Sequence, residues 1–162
     1  MNPDHKHLAE TVLQHVCVGR RIGGMTSDFP PILLLDGRGS PAAYAPIDAD
    51  VVLTIEHHWS VTGEPGEAPP ASDPPTTSAP ASGPFALALC ELREHPIVNV
   101  TLGETAPHLT LHFDNGQRLV INGHNDRFES WQLSAGMYMV VAVPGDAVAV
   151  WTADDFDPRS RM

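Results

Sequence analysis

Hydrophobic and polar residues alternate most regularly between Pro107 and Trp151. Leu109, Leu111 and Phe113 alternate with Thr110, His112 and Asp114, the period of a strand with one face buried. Asp114-Asn115-Gly116 follows, and Leu119 and Ile121 then alternate again. Asn-Gly between two alternating runs predicts a hairpin. A two-residue Asn-Gly loop would pair Phe113 with Arg118 and put Leu119 and Ile121 on the face of His112 and Thr110. A three-residue loop, with Gly116 left-handed in a bulge, would pair Leu111 with Leu119 and Leu109 with Ile121. The second register collects the apolar side chains on one face, and it is the expected one.

The same reading extends in both directions. Trp131 and Leu133 alternate with Ser130 and Gln132 as another half-buried strand. Met137 to Val143 is apolar throughout, which predicts a strand covered on both faces. Pro144-Gly145 suits the middle of a type II turn, and Ala147 to Trp151 returns as the last strand. With Ile97–Leu102 before it, the stretch reads as a meander of about five strands. Upstream, Asp4 is placed to cap a helix over His5 to Val18. Leu8, Val12 and Val16 share a face there with Ala9 and Leu13, and Gly19 ends the helix ahead of Arg20 and Arg21. Pro31 to Leu35 predicts a short strand that Ala42 to Ala45 would continue, and Val51, Leu53 and Ile55 predict another, closed by His57, His58 and Trp59. A second helix is expected over Phe85 to Glu94, ended by Pro96. Thr62 to Pro84 has no apolar period and is rich in Pro, Ala, Ser, Thr and Gly, the composition of a flexible insertion. The expected fold class is α+β: a mostly antiparallel β meander with an N-terminal helix and one short helix. It forms a single domain over residues 1–162 with its core at 107–151.

Composition narrows the function more than it names it. The chain has 162 residues, enough for one domain with a sizeable core. Twenty acidic residues against nine basic ones leave a net charge of −11. That argues against a nucleic-acid surface and favours a basic partner, since opposite fields speed encounter. No apolar run reaches transmembrane length, and no secretory leader is read at the N-terminus, so a cytoplasmic protein is expected. Cys17 and Cys90 are far apart among apolar neighbours and are expected to be buried free thiols.

Candidate chemistry is thin. Nine histidines raise a metal site, with His108 and His112 facing the same way on one strand and His57, His58, His124 and Asp126 near them at strand ends. There is no HExxH and no tight ligand spacing, so no metal ligand is assigned. No Gly-x-Ser-x-Gly elbow is present, Cys90 is expected on a buried helix face, and no pair of Glu56, Asp126 and Glu129 is brought together by spacing. No catalytic residue and no cofactor are assigned either. Trp131 and Trp151 are expected in the core, while a tryptophan near an acidic rim fits an interface. Glu56-His-His-Trp59 and Glu129-Ser-Trp131 form a faint echo between the two halves of the chain.

The stretch from His108 to Trp151 resembles a bacterial family of unknown function. The residues that carry the resemblance are the strand LTLHF, the DNG turn, the strand RLVI, Phe128-Glu-Ser-Trp131, and Pro144-Gly145 leading to Ala149-Val-Trp151. Leu53-x-Ile-Glu56 resembles the family's first-half strand. The resemblance implies a small α+β or mostly β domain without an assigned activity and carries over no catalytic residue. By analogy, small acidic proteins of this kind are often immunity proteins that block a toxin.

These readings converge on a non-enzymatic binding protein, most concretely an immunity-type inhibitor whose acidic surface masks a basic toxin. The candidate contacts are Glu56, His57, His58, Trp59, Asp126, Glu129, Asp154, Asp155 and Asp157. One alternative is a small metal- or ligand-binding enzyme using clustered histidines. Another is a homo-oligomeric module that pairs through an exposed edge strand. Neither a membrane nor a nucleic acid is an expected partner.

Overall fold

The computed structural model describes residues 1–26, 30–36, 50–63 and 85–154. The expectations for Ala42 to Ala45, for nearly all of the insertion at 62–84, and for Asp155 and Asp157 lie outside the described residues.

The first element is helix α1, Pro3–Cys17. Its cap is Asn2, not Asp4: the Asn2 side chain accepts from the backbone N–H groups of Asp4 and His5. Pro3 then takes the first helical position, where its missing N–H costs nothing and its fixed φ fits. Ala9, Val12, Leu13 and Val16 form the buried face. Gly19 adopts φ 90° just beyond the helix, and Arg20 turns back so that its Nε donates to the Val16 carbonyl at 2.8 Å. That satisfies a carbonyl at the negative end of the helix dipole.

Strands β1 (Arg21–Met25), β2 (Ile32–Asp36) and β3 (Val51–Ile55) follow, then β4 (Trp59–Thr62) and helix α2 (Phe85–Leu92). The second half supplies β5 (Ile97–Leu102), β6 (Leu109–Phe113), β7 (Arg118–Ile121), β8 (Trp131–Ala135), β9 (Tyr138–Val143) and β10 (Ala147–Trp151). The α+β class holds. The strands form two antiparallel sheets, of order β1-β2-β3-β8-β9-β10 and β4-β7-β6-β5. Sequence periodicity does not register that division, nor does it mark β1, which is Gly-rich, or β4, which begins at Trp59, the expected close of the preceding strand. Strands from both sides of residues 62–84 share both sheets, so the two halves of the chain build one structure.

The β6–β7 hairpin takes the three-residue loop. Leu109 pairs with Ile121 and Leu111 with Leu119, while Gly116 sits at φ 87° and donates to the Phe113 carbonyl. A slip by one residue would take Leu119 and Ile121 off the core face they share with Leu109, Leu111 and Phe113. At about 1.5–3 kcal/mol for each buried side chain, that is a large part of the roughly 5–15 kcal/mol that holds a domain folded. The inner faces of both sheets, the buried face of α1, and Leu89 and Leu92 of α2 form one continuous core. Trp131 belongs to it and is fully buried. Trp151 does not join it. β10 is an edge strand, and Trp151 at its end is 53 % exposed, on the outer face of the sheet.

Candidate functional site

The chain passes from one sheet to the other twice, and the two passages lie side by side. Ile55 opposite Trp131 is the last rung in the six-stranded sheet, and Trp59 opposite Ile121 is the first in the four-stranded one. Between these rungs one strand has only Glu56, His57 and His58, while the other has residues 122–130. The shorter side is bonded at both ends: Glu56 N–H donates to the Ser130 carbonyl at 2.9 Å, and Asn122 N–H to the His58 carbonyl at 2.8 Å. The longer side has surplus chain, which stands out as a loop.

That loop is held by its own polar groups. The Asn122 side chain accepts from His124 N–H, and the Asn125 side chain accepts from the N–H groups of Arg127 and Phe128. These are the local side-chain-to-backbone bonds that asparagine makes in turns. The Asn125 carbonyl also receives Gly145 N–H at 3.1 Å, joining the loop to the β9–β10 turn. In that turn Gly145 has the positive φ expected after Pro144, and Asp146 follows at φ 56°. Its carboxylate lies 2.6 Å from His124 Nδ1. At the tip, Asp126, Arg127, Phe128 and Glu129 are all exposed, Phe128 by 69 %.

Beneath the loop the backbones touch. A Cβ on Gly123 would overlap the Pro107 carbonyl, so only glycine fits there. Gly123 N–H donates to Nδ1 of the buried His108 at 3.0 Å, and Trp131 Nε1 donates to the Pro107 carbonyl at 2.7 Å. On the opposite strand, His58 N–H donates to His57 Nδ1, and the two rings meet edge to face at 4.8 Å. Burial pushes the His57 pKa down, and His58, His124 and His108 push it further. The hydrogen bond to Asp146 pulls the His124 pKa up, with the Asp146 charge adding to it.

Of the residues expected to bind a partner, Glu56, His57, His58, Trp59, Asp126 and Glu129 meet at this crossing. Trp59 is only partly available, since it also packs on the core. Asp154 does not join them: it follows the end of β10 remote from the β9–β10 turn, beyond Trp151. The sequence reading missed Phe128 as a contact, although a lone aromatic in the polar run Asn122–Ser130 was its signal. It also missed Asp146, Gly123 and Asn125, whose roles depend on chain segments remote in sequence.

The histidines divide. His58, His108 and His124 lie close enough to His57 to act on its charge, and His108, just ahead of β6, bonds the Gly123 N–H, whereas His112 has other partners. His112 bonds Thr101 Oγ1 at 3.0 Å on the four-stranded sheet, where burial and then Arg118 lower its pKa. Among the described residues, no group of three or more His, Cys, Asp or Glu side chains has a metal-holding arrangement. Among them too, no helix is long and apolar enough to cross a membrane.

Cys90 departs from expectation in another way. Cys17 is buried and free, and burial pushes its thiol up to about 12. Cys90 is free but exposed, and lines a cleft of about 560 Å³ with Arg21, Asp36, Arg93 and Glu94. The apolar spacing of α2 places Leu89 and Leu92 inward and leaves Cys90 on the other side of a short helix.

A comparison with known proteins finds no matching family model, no similar curated protein and no similar solved structure.

Proposed function

We propose that this chain is a non-enzymatic binding protein that docks a basic protein partner at the crossing between its two sheets. The observation that carries the reading is Phe128: a large aromatic, 69 % exposed, on a loop fixed by its own hydrogen bonds, between Arg127 and Glu129 with Asp126 beside them. An aromatic ring can anchor a partner, and a loop already ordered in the free protein loses little entropy on binding. The acidic neighbours and the net charge of −11 select a basic surface. An immunity-type inhibitor of a toxin is the most concrete form of this function.

The test is capture of partners by the tagged full chain at low and high salt, with Phe128→Ala and the double variant Asp126→Lys/Glu129→Lys. A hot-spot aromatic costs at least about 2 kcal/mol on truncation, roughly thirty-fold in affinity. The charge variant should lose most at low salt. A partner held equally well by the wild type and Phe128→Ala would overturn the reading.

A second reading, self-association, rests on a different surface. Leu34, Val52, Ser134, Met139 and Trp151 form one cross-strand row on the outer face of the six-stranded sheet. The next row is Ile32, Thr54, Gln132, Val141 and Ala149. Neither row holds an ionisable group, so two copies of a chain with net charge −11 could approach there without opposed charges at the contact. Sedimentation at rising concentration tests this, with a dimer that high salt strengthens and Trp151→Glu abolishes. A monomer throughout would remove it.

A further inference from the structure

We propose that the crossing is a pH-gated latch, which holds the loop of residues 122–130 while the Nδ1 atoms of His57 and His108 carry no proton and releases it on acidification. The inference rests on reading that loop as the docking surface, and it names how the surface is regulated.

The geometry assigns each ring its state. A backbone N–H points at each of two Nδ1 atoms: His58 N–H at His57, 2.6 Å, and Gly123 N–H at His108, 3.0 Å. A neutral imidazole has one accepting nitrogen, and an imidazolium has none. In both rings the proton therefore sits on Nε2, and a second proton turns each bond into two donors facing each other. The two bonds lie on opposite strands of one crossing. The His58 carbonyl receives Asn122 N–H, and Gly123 is the next residue, so losing both bonds loosens the two strands at the same level. His108 is buried, and the Gly123 backbone is packed against the Pro107 carbonyl, so the two facing donors meet inside the structure and away from solvent.

His124 works the other way. Its Nδ1 faces a carboxylate oxygen of Asp146 and must donate, so protonation strengthens that contact. Acid therefore frees the loop on its strand side and leaves it tethered to the β9–β10 turn. The other titratable or charged groups on the segments meeting here are Glu56 and His58 beside His57, Asp126, Arg127 and Glu129 on the loop, and Glu104 ahead of His108. His57 is close enough to His58, His108 and His124 for each to disfavour its charge.

The test needs no partner. The full chain, labelled with ¹⁵N, is titrated from about pH 8 to about pH 5, the span in which histidine changes charge. Ring shifts report the proton on each nitrogen, and exchange of the Gly123 amide, expressed as a protection factor, reports the latch. The expected result is Nε2–H in both rings at the upper end, with Gly123 protection falling at least about tenfold as His108 takes its second proton. Asparagine at this position presents an amide oxygen in place of Nδ1, an acceptor that does not titrate, so His108→Asn should keep Gly123 protected in acid. Gly123 protection independent of His108 titration would overturn the latch, as would an equal acid loss in His108→Asn. If that variant does not fold, the wild-type titration decides alone. The docking reading fails separately, by unchanged partner capture with Phe128→Ala.

Discussion

Replacing Trp131 with phenylalanine tests how the crossing is held. Trp131 is fully buried, and its indole N–H is bonded to the Pro107 carbonyl at 2.7 Å. Phenylalanine keeps one ring and loses the donor. Leaving the buried Pro107 carbonyl without that donor costs about 1–3 kcal/mol. The missing part of the indole is worth roughly two buried methylenes, about 1.5 kcal/mol. Together these give a loss of about 2.5–4.5 kcal/mol, or a fall in Tm of roughly 5–18 °C for a chain of this size. The assay is urea unfolding followed by far-UV circular dichroism, with stability compared at constant m. Trp151→Phe is the control: on an edge strand and half exposed, it should change stability by less than about 0.5 kcal/mol. Equal losses in the two variants would refute the assignment of Trp131 as the bonded core residue and Trp151 as a surface one.

Three other outcomes follow from the geometry. A thiol reagent should modify Cys90 in the folded protein and Cys17 only after unfolding; two reactive thiols in the native state would contradict the burial of Cys17. Asn2→Ala should cost about 1 kcal/mol, and Asp4→Ala less, because Asn2 holds the cap; the reverse order in thermal melts would restore Asp4 to that role. For pH, His124 is raised above 6.5, so its contribution is full below that value and is lost as pH rises through its folded pKa. His57 and His112 are lowered from 6.5, so theirs is present above that value and is lost as pH falls through their folded pKa values. Urea midpoints should therefore decline on both sides of a maximum near neutral pH, and Asp146→Asn should flatten the alkaline side and bring His124 back toward 6.5. An unchanged His124 titration in that variant would show that Asp146 does not set it.

Much of the fold was legible locally. The β6–β7 register follows from where Leu109, Leu111, Phe113, Leu119 and Ile121 fall around Asp114-Asn-Gly, because only one register gathers all five on a single face. The buried face of α1 follows from spacing as well. Its cap does not, since Asn2 and Asp4 are both competent and the choice turned on Pro3, which suits the first helical position. β1 escaped notice because glycines carry no hydrophobic signal, and β4 because it is short and shares its apolar residues with the end of the preceding strand. Cys90 was misplaced because apolar neighbours on a short helix do not tell which side faces in.

For the site, residue types were readable and companionship was not. Glu56 through Trp59 and Asp126 through Glu129 stood out as polar and aromatic clusters at strand ends. What joined them to His108, Gly123 and Asp146 was long-range pairing. By itself, then, the sequence determined the periodic elements, the hairpin register and the charge that a partner must meet, because those depend on neighbours a few residues apart. The division into two sheets, the surplus loop that lifts Phe128 into solvent, and the state of each histidine were decided only in three dimensions. They depend on which distant backbone N–H or carboxylate each side chain meets, and no local pattern records that.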